Sequence, residues 1–383
     1  DDYVAYIFAK KLDLLVSDVR LVELLINNKS SGVFIERERL NESFLRRNKI
    51  MPINLYKGEA SRNAEKKIGL AVNLDENPGL WEKISILNSV ELDDYSDLEK
   101  FTNKIRKAGN SNEKLKNLLK YGNDKIFAKT AILEILLNKQ INDSTHNRRL
   151  ALDIWSGKKY IIPHDFSYNR TEIDYKSFNI DNCYTRLFCI LNQNSEFLNL
   201  KYELLYYIVK EEKIYEKVIE HLESIKSKFL VSQKTDLGIV TRKDILIRSF
   251  LGDENEESFR DLINNLKKRK KNIIKILEKD VISYWRENNE GFEIIIDKSL
   301  PISNLLFKFE NEKPKWIVLD TNYNEAVDSN DIFFYPDKNF KINLKLFANR
   351  ILGFTEKFQT SSNIYTVKTG FRFLVENNSE KCS

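Results

Sequence analysis

Residues 126–138 constrain this chain more than any other segment. Ile126, Phe127, Ala131, Ile132, Ile135 and Leu136 leave almost no polar stripe, so the run predicts a helix buried on nearly all sides. A polar loop follows, Gln140-Ile141-Asn142-Asp143-Ser144-Thr145-His146-Asn147. Next come a strand over 149–155, a Ser156-Gly157 turn, a second strand over 159–162, and then Pro163-His164-Asp165-Phe166-Ser167. A buried helix and a hairpin are rigid supports. The order therefore predicts two carboxylates, Asp143 and Asp165, carried on loops whose ends are fixed.

Protein kinases assemble their centre in this order. A loop aspartate accepts the substrate hydroxyl proton, an asparagine a few residues on binds metal, and an aspartate beyond the hairpin binds the metal that bridges the phosphates. Phosphoryl transfer needs oxygen ligands for Mg²⁺ and one carboxylate aimed at the nucleophile. Each residue also has a plainer role. Asp143 can cap a turn, and Asn147 can simply form one. His146 and His164 flank the two loops, yet no Cys or Glu stands at ligand spacing, so a transition-metal centre is not indicated.

The remaining chain supplies the context. Val4, Ile7, Phe8, Leu12 and Leu15 put an apolar face on an N-terminal helix. Residues 19–26 and 33–36 read as a hairpin joined by a polar turn over 27–32. Residues 40–47 read as a helix, and 53–57 as a strand ending on Lys57. Helices are expected at 96–108 and 112–119, and helical structure throughout 197–285. Ser258 with Asp261 reads as a capping start for the second long helix, from 256. From Gly291 strand patterns take over (292–296, 305–309, 316–319, 332–335, 339–346, 364–368 and 371–375), predicting a small β module. Lys267-Lys268-Arg269-Lys270-Lys271 reads as a solvated helix face, with a nucleic-acid or acidic-substrate patch as the alternative.

Composition closes several classes. The chain has 383 residues, 42% of them apolar, enough for a sizeable core. It carries 62 Lys+Arg against 57 Asp+Glu, a net +5, which by itself argues no nucleic-acid partner. No stretch is apolar enough for a membrane span. Cys183, Cys189 and Cys382 show no zinc-ligand spacing, and the expectation is two buried thiols and one in the tail.

Several blocks together resemble the spore-coat protein H (CotH) kinase family. They are Leu24-Leu25-Ile26-Asn27-Asn28 with Gly32-Val33-Phe34-Ile35-Glu36-Arg37-Glu38; Asn54-Leu55-Tyr56-Lys57; Asp143 through Asn147; and Tyr160-Ile161-Ile162-Pro163-His164-Asp165-Phe166. Weaker likeness runs through 187–202 and through 265–277 with Arg269, so the resemblance covers roughly residues 3 to 280. It implies an α+β, divergent protein-kinase-like fold over 1–290, with a large helical lobe, followed by the β module at 291–383. The family's strands upstream of the first helix are absent here, so the kinase domain is expected to be N-terminally incomplete.

The resemblance also implies an atypical protein kinase moving the γ-phosphoryl of ATP to a protein hydroxyl, with Mg²⁺ or Mn²⁺. Its alternative is a non-catalytic, pseudokinase-like assembly protein, and a bacterial spore coat or cell surface is the implied location. Asp143 takes the catalytic position and Asp165 the metal position, with Asn147 as second metal ligand. Lys57 and Glu38 match cofactor-side motif positions. Read as residues alone, Glu38 is a strand-end charge and Lys57 an edge lysine. The family's Trp before the metal aspartate is His164 here, and its second Asp is Ser167.

Overall fold

The computed structural model describes residues 1–278 except 60–73, 76, 85–93, 109–111, 142–146, 176–177, 179, 193 and 236–253. Beyond 278 it describes the strands named below with 315–316, 327–329, 331 and 335. The architecture is α+β with antiparallel sheets.

Helix α1 (Asp2–Lys11) buries Val4 through Ala9 and packs in the larger core, among residues of the later helices. The hairpin β1 (Val19–Ile26) and β2 (Lys29–Arg37) follows. Its turn is only Asn27-Asn28, with φ of 51° and 60°, and Ile26 faces Lys29. The polar stretch 29–32, expected as turn, is strand. Two left-handed asparagines close the hairpin tightly enough to free those residues for the ladder.

Helix α2 (Glu42–Arg47) starts at Asn41, whose side chain accepts from the Phe44 amide. Strand β3 (Asn54–Gly58), β4 (Trp81–Lys83), β5 (Arg148–Leu152) and β6 (Lys159–Ile161) form one antiparallel sheet, ordered β4-β3-β5-β6. Its alternation feeds two cores. Tyr56, Leu150, Leu152 and Ile161 face one, together with Trp81, while Leu55, Ala151 and Ile162 face the other. Gly58 is needed where the Trp81 ring crosses β3, since a Cβ there would lie 2.8 Å from the ring.

Helices α3 (Ser96–Ala108), α4 (Asn112–Leu119) and α5 (Asn123–Leu137) precede β5. Helix α5 is the buried helix expected from its apolar circumference. Phe127 and Ala128 join one core while Ile132, Leu133 and Leu136 join the other. Asn138, at φ 48°, ends it in the left-handed conformation usual for a helix stop.

The second half is helical: α6 (Arg186–Leu191), α7 (Ser195–Tyr206), α8 (Ile214–Thr235) and α9 (Glu254–Leu277). A widened π turn at Tyr207–Glu211 and a left-handed Lys213 separate α7 from α8, although no Pro or Gly marks the break. Ser258 lies inside α9 rather than capping it. Its carbonyl and hydroxyl accept from Arg170. Cys183 and Cys189 are buried as expected, but they are bonded to each other, with Cα atoms 5.2 Å apart.

The helical region stops at Leu277, earlier than the pattern to 285 suggested. Strand β7 (Ile282–Asn288) pairs with β8 (Gly291–Asp297), so the C-terminal sheet starts before Gly291. That sheet runs β11 (Ile332–Phe334), β10 (Ile317–Leu319), β15 (Gly370–Glu376), β8, β7. Two further ladders pair β9 (Asn304–Lys308) with β12 (Lys341–Lys345) and β13 (Phe354–Gln359) with β14 (Ser362–Val367). Among the described residues no helix is long and apolar enough to cross a membrane.

Candidate active site

The register of the four-stranded sheet decides which residues can meet. Lys57 on β3 lies directly opposite Arg149 on β5, and the Ile162 amide donates to the Arg149 carbonyl at 2.9 Å. Continuing that antiparallel register brings Asn147, just before β5, beside the His164–Asp165 turn just after β6. Lys57, Arg149, Asn147, His164 and Asp165 therefore share one end of the sheet. On the Lys57 face, the far end is apolar (Leu55, Ala151) and this end is charged.

A cleft of about 750 Å³ opens at the charged end. Asp2, Tyr6, Arg37, Glu38, Arg39, Lys57, Arg149 and His164 are among the residues lining it. That volume falls within the range of small-molecule and cofactor sites. Lys57 and Glu38, matched to motif positions far apart in sequence, are thus on one cleft. They are not paired with each other. The Arg47 guanidinium donates to the Glu38 carboxylate, the closest contact being 2.6 Å, and the Asp18 amide donates to it at 3.0 Å. Lys57 reaches Glu59 at 3.2 Å and Glu82 at 3.9 Å. The strand-end reading of Glu38 accounts for these contacts: it ties the β1–β2 hairpin to α2.

Asp165 is exposed, sits one residue beyond the lining residue His164, and has φ 54°. Left-handed backbone at a residue other than Gly is held by its surroundings. Here the holders are visible. Phe166 is buried, packing on Tyr6 at 4.5 Å between ring centroids. The Tyr6 hydroxyl accepts from Arg37 at 3.2 Å and lies against the Asp165 backbone. Sequence reasoning missed Tyr6 and Arg37, because a contact between the first helix, β2 and a loop far down the chain has no local period.

His164 stands where the resembled pattern has Trp. Burial, with Arg149 and Arg37 adding to it against Asp165 and Glu59, lowers its pKa to about 4, so at neutral pH the imidazole is uncharged. Its Nδ1 is buried and makes no hydrogen bond among the described residues. Arg149 is 6% exposed. Burial lowers its pKa, and its nearest carboxylate contact among the described residues is Glu59 at 3.8 Å.

Asp143 lies outside the described residues, as does His146. Asn147, half-buried with φ 54°, is at the hairpin's open end. Among the described residues no group of three or more His, Cys, Asp or Glu could hold a metal. Mg²⁺ asks less of a protein: one or two carboxylates, with phosphate oxygens and water completing the shell. The exposed Asp165 carboxylate and the Asn147 amide offer hard oxygen donors of that type, so the residues fit such an ion.

The basic run on α9 proves structural for three of its members. Arg269, 2% exposed, donates to the Thr171 carbonyl at 2.7 Å and stacks over Tyr168 at 4.4 Å. Lys268 pairs with Glu172 and Lys270 with Glu216.

Residues 1–273 match the family model described as CotH kinase protein. A search of curated proteins gives no match.

Proposed function

The chain belongs to the CotH kinase protein family, and from that premise we propose that it is an atypical protein kinase, transferring the γ-phosphoryl of ATP to a protein hydroxyl. The observation that carries the reading is the sheet end itself. Asn147 leads into β5 and Asp165 follows β6, so both flank the end that bears Lys57 and the cleft. Asp165 and Asn147 hold Mg²⁺ or Mn²⁺, which neutralises phosphate charge when bound. Asp143 orients the incoming hydroxyl and accepts its proton. Lys57 lies along the phosphates, and Glu38 fixes the hairpin that walls the cleft.

The second reading is a non-catalytic assembly protein. It draws on His164 and Ser167 in place of the family's Trp and second Asp, and on a Glu38 already engaged by Arg47. Asp143→Asn separates the two. Under the kinase reading the variant keeps Mg-ATP binding and loses phosphoryl transfer to a protein acceptor by about 100-fold or more. Transfer at the wild-type rate would make Asp143 a structural residue, and a wild type without transfer would favour assembly.

A further inference from the structure

The cleft holds more positive charge than one nucleotide-side lysine explains. Arg149 is directly opposite Lys57 across the β3–β5 ladder, and like charges so placed repel unless something negative lies between them. Glu59 and Glu82 answer only in part: Glu59 is 3.2 Å from Lys57 but 3.8 Å from Arg149 and 44% exposed, and Glu82, 3.9 Å from Lys57, is 68% exposed. Arg37 and Arg39 add two more cations to the same lining. Of its acids, Glu38 is engaged by Arg47 and Asp2 is exposed. Arg149 is more than nine-tenths buried, and one of its two terminal nitrogens donates to the Arg148 carbonyl at 3.0 Å. A buried guanidinium whose nearest carboxylate is a half-exposed one at 3.8 Å is only partly compensated, and an anionic ligand would complete it.

We propose that Arg149, with Lys57 opposite it and Arg37 beside it, forms a clamp for a polyphosphate, Arg149 supplying the forked contact to phosphate oxygens. The proposal deepens the kinase reading, because it names the residue that grips the phosphate chain, but its anion chemistry stands without the nucleoside. A guanidinium matches phosphate geometry with paired N–H donors, whereas Lys57 offers a point charge. The clamp sits at the sheet end beside Asp165, so phosphates gripped there lie next to the proposed metal-binding carboxylate.

The test is isothermal titration of the full chain with inorganic tripolyphosphate and, separately, with Mg-ATP. Wild type is expected to bind both. Arg149→Gln should weaken both by about 10- to 100-fold, the loss of a charge-assisted contact, and Arg149→Lys should fall between. Equal tripolyphosphate affinity in wild type and Arg149→Gln overturns the clamp and leaves the kinase reading standing. Wild type that binds tripolyphosphate, loses it in Arg149→Gln, and never binds Mg-ATP supports the clamp and sinks the kinase reading. Wild type that binds neither overturns both. If Arg149→Gln melts too low to titrate, Arg37→Gln carries the comparison. A drop of about threefold or more in tripolyphosphate affinity supports the clamp, and an unchanged affinity overturns it.

Discussion

Tyr6→Phe tests how the first helix sets the geometry of Asp165. The substitution keeps the ring that packs on Phe166 at 4.5 Å and removes only the hydroxyl. That oxygen accepts from Arg37 and lies against the Asp165 backbone. Arg37 is exposed and can turn to water, so the loss falls mainly on the Asp165 turn. A polar contact of this kind contributes about 1 kcal/mol net, rising towards about 2 kcal/mol if its partner is left unsatisfied. The left-handed backbone at Asp165 opposes it with about 1 kcal/mol, less than for most residues because Asp tolerates that region. Without the hydroxyl, strain and anchor no longer favour the present turn. Restoring it on binding should then weaken Mg-ATP by about 5- to 30-fold, the equivalent of about 1–2 kcal/mol. Isothermal titration reads the affinity, and a thermal melt reads the accompanying fall of a few degrees. Affinity within twofold of wild type would refute the idea that α1 holds the turn.

Two further outcomes follow from buried charge. Asp181 and Lys201 pair at 2.5 Å with both side chains 1% exposed, and the Tyr202 hydroxyl also donates to Asp181 at 2.6 Å. Asp181→Asn should destabilise by about 3–5 kcal/mol by leaving the ammonium uncompensated, and adding Lys201→Met should recover most of it. Denaturant melts check this, and a single variant as stable as wild type would contradict it. Lys159 has its pKa lowered to about 8 by burial and then by Lys104. The unfolded chain therefore binds more protons there above pH 8, so stability from this residue rises between about pH 8 and pH 10. Lys159→Met should flatten that rise relative to wild type, as read from melting temperature against pH; parallel profiles would argue against it.

Legibility followed the range of the interaction. The buried helix α5, the β5–β6 hairpin and most C-terminal strands were readable because local alternation or an apolar circumference marks them. Strand β7 reads as helix in the sequence because Ile282–Asn288 extends a charged helical stretch with no intervening Pro or Gly. Strand β13 was missed where Phe354–Gln359 carries a Glu-Lys pair in its middle. The break between α7 and α8 depends on a widened turn that no breaker residue announces. Motif positions point to Lys57, Glu38 and Asp165, of which Lys57 and Glu38 line the cleft. Arg149 escaped notice because its meaning comes from the residue opposite it, and Tyr6 because its partners lie on β2 and beyond β6. The disulfide reads as two thiols in the sequence, since a six-residue separation fixes no pairing without the turn between them.

Mg²⁺-dependent ATP binding by wild type and Asp165→Ala, titrated with Mg²⁺ and again with chelator, tests whether the cleft binds nucleotide through a metal held at Asp165. Asp165 is exposed, so the substitution should leave the melting temperature nearly unchanged. Wild-type binding should need the metal and be lost in the variant. Equal Mg-ATP affinity in the two proteins, or wild-type binding indifferent to chelator, would contradict it.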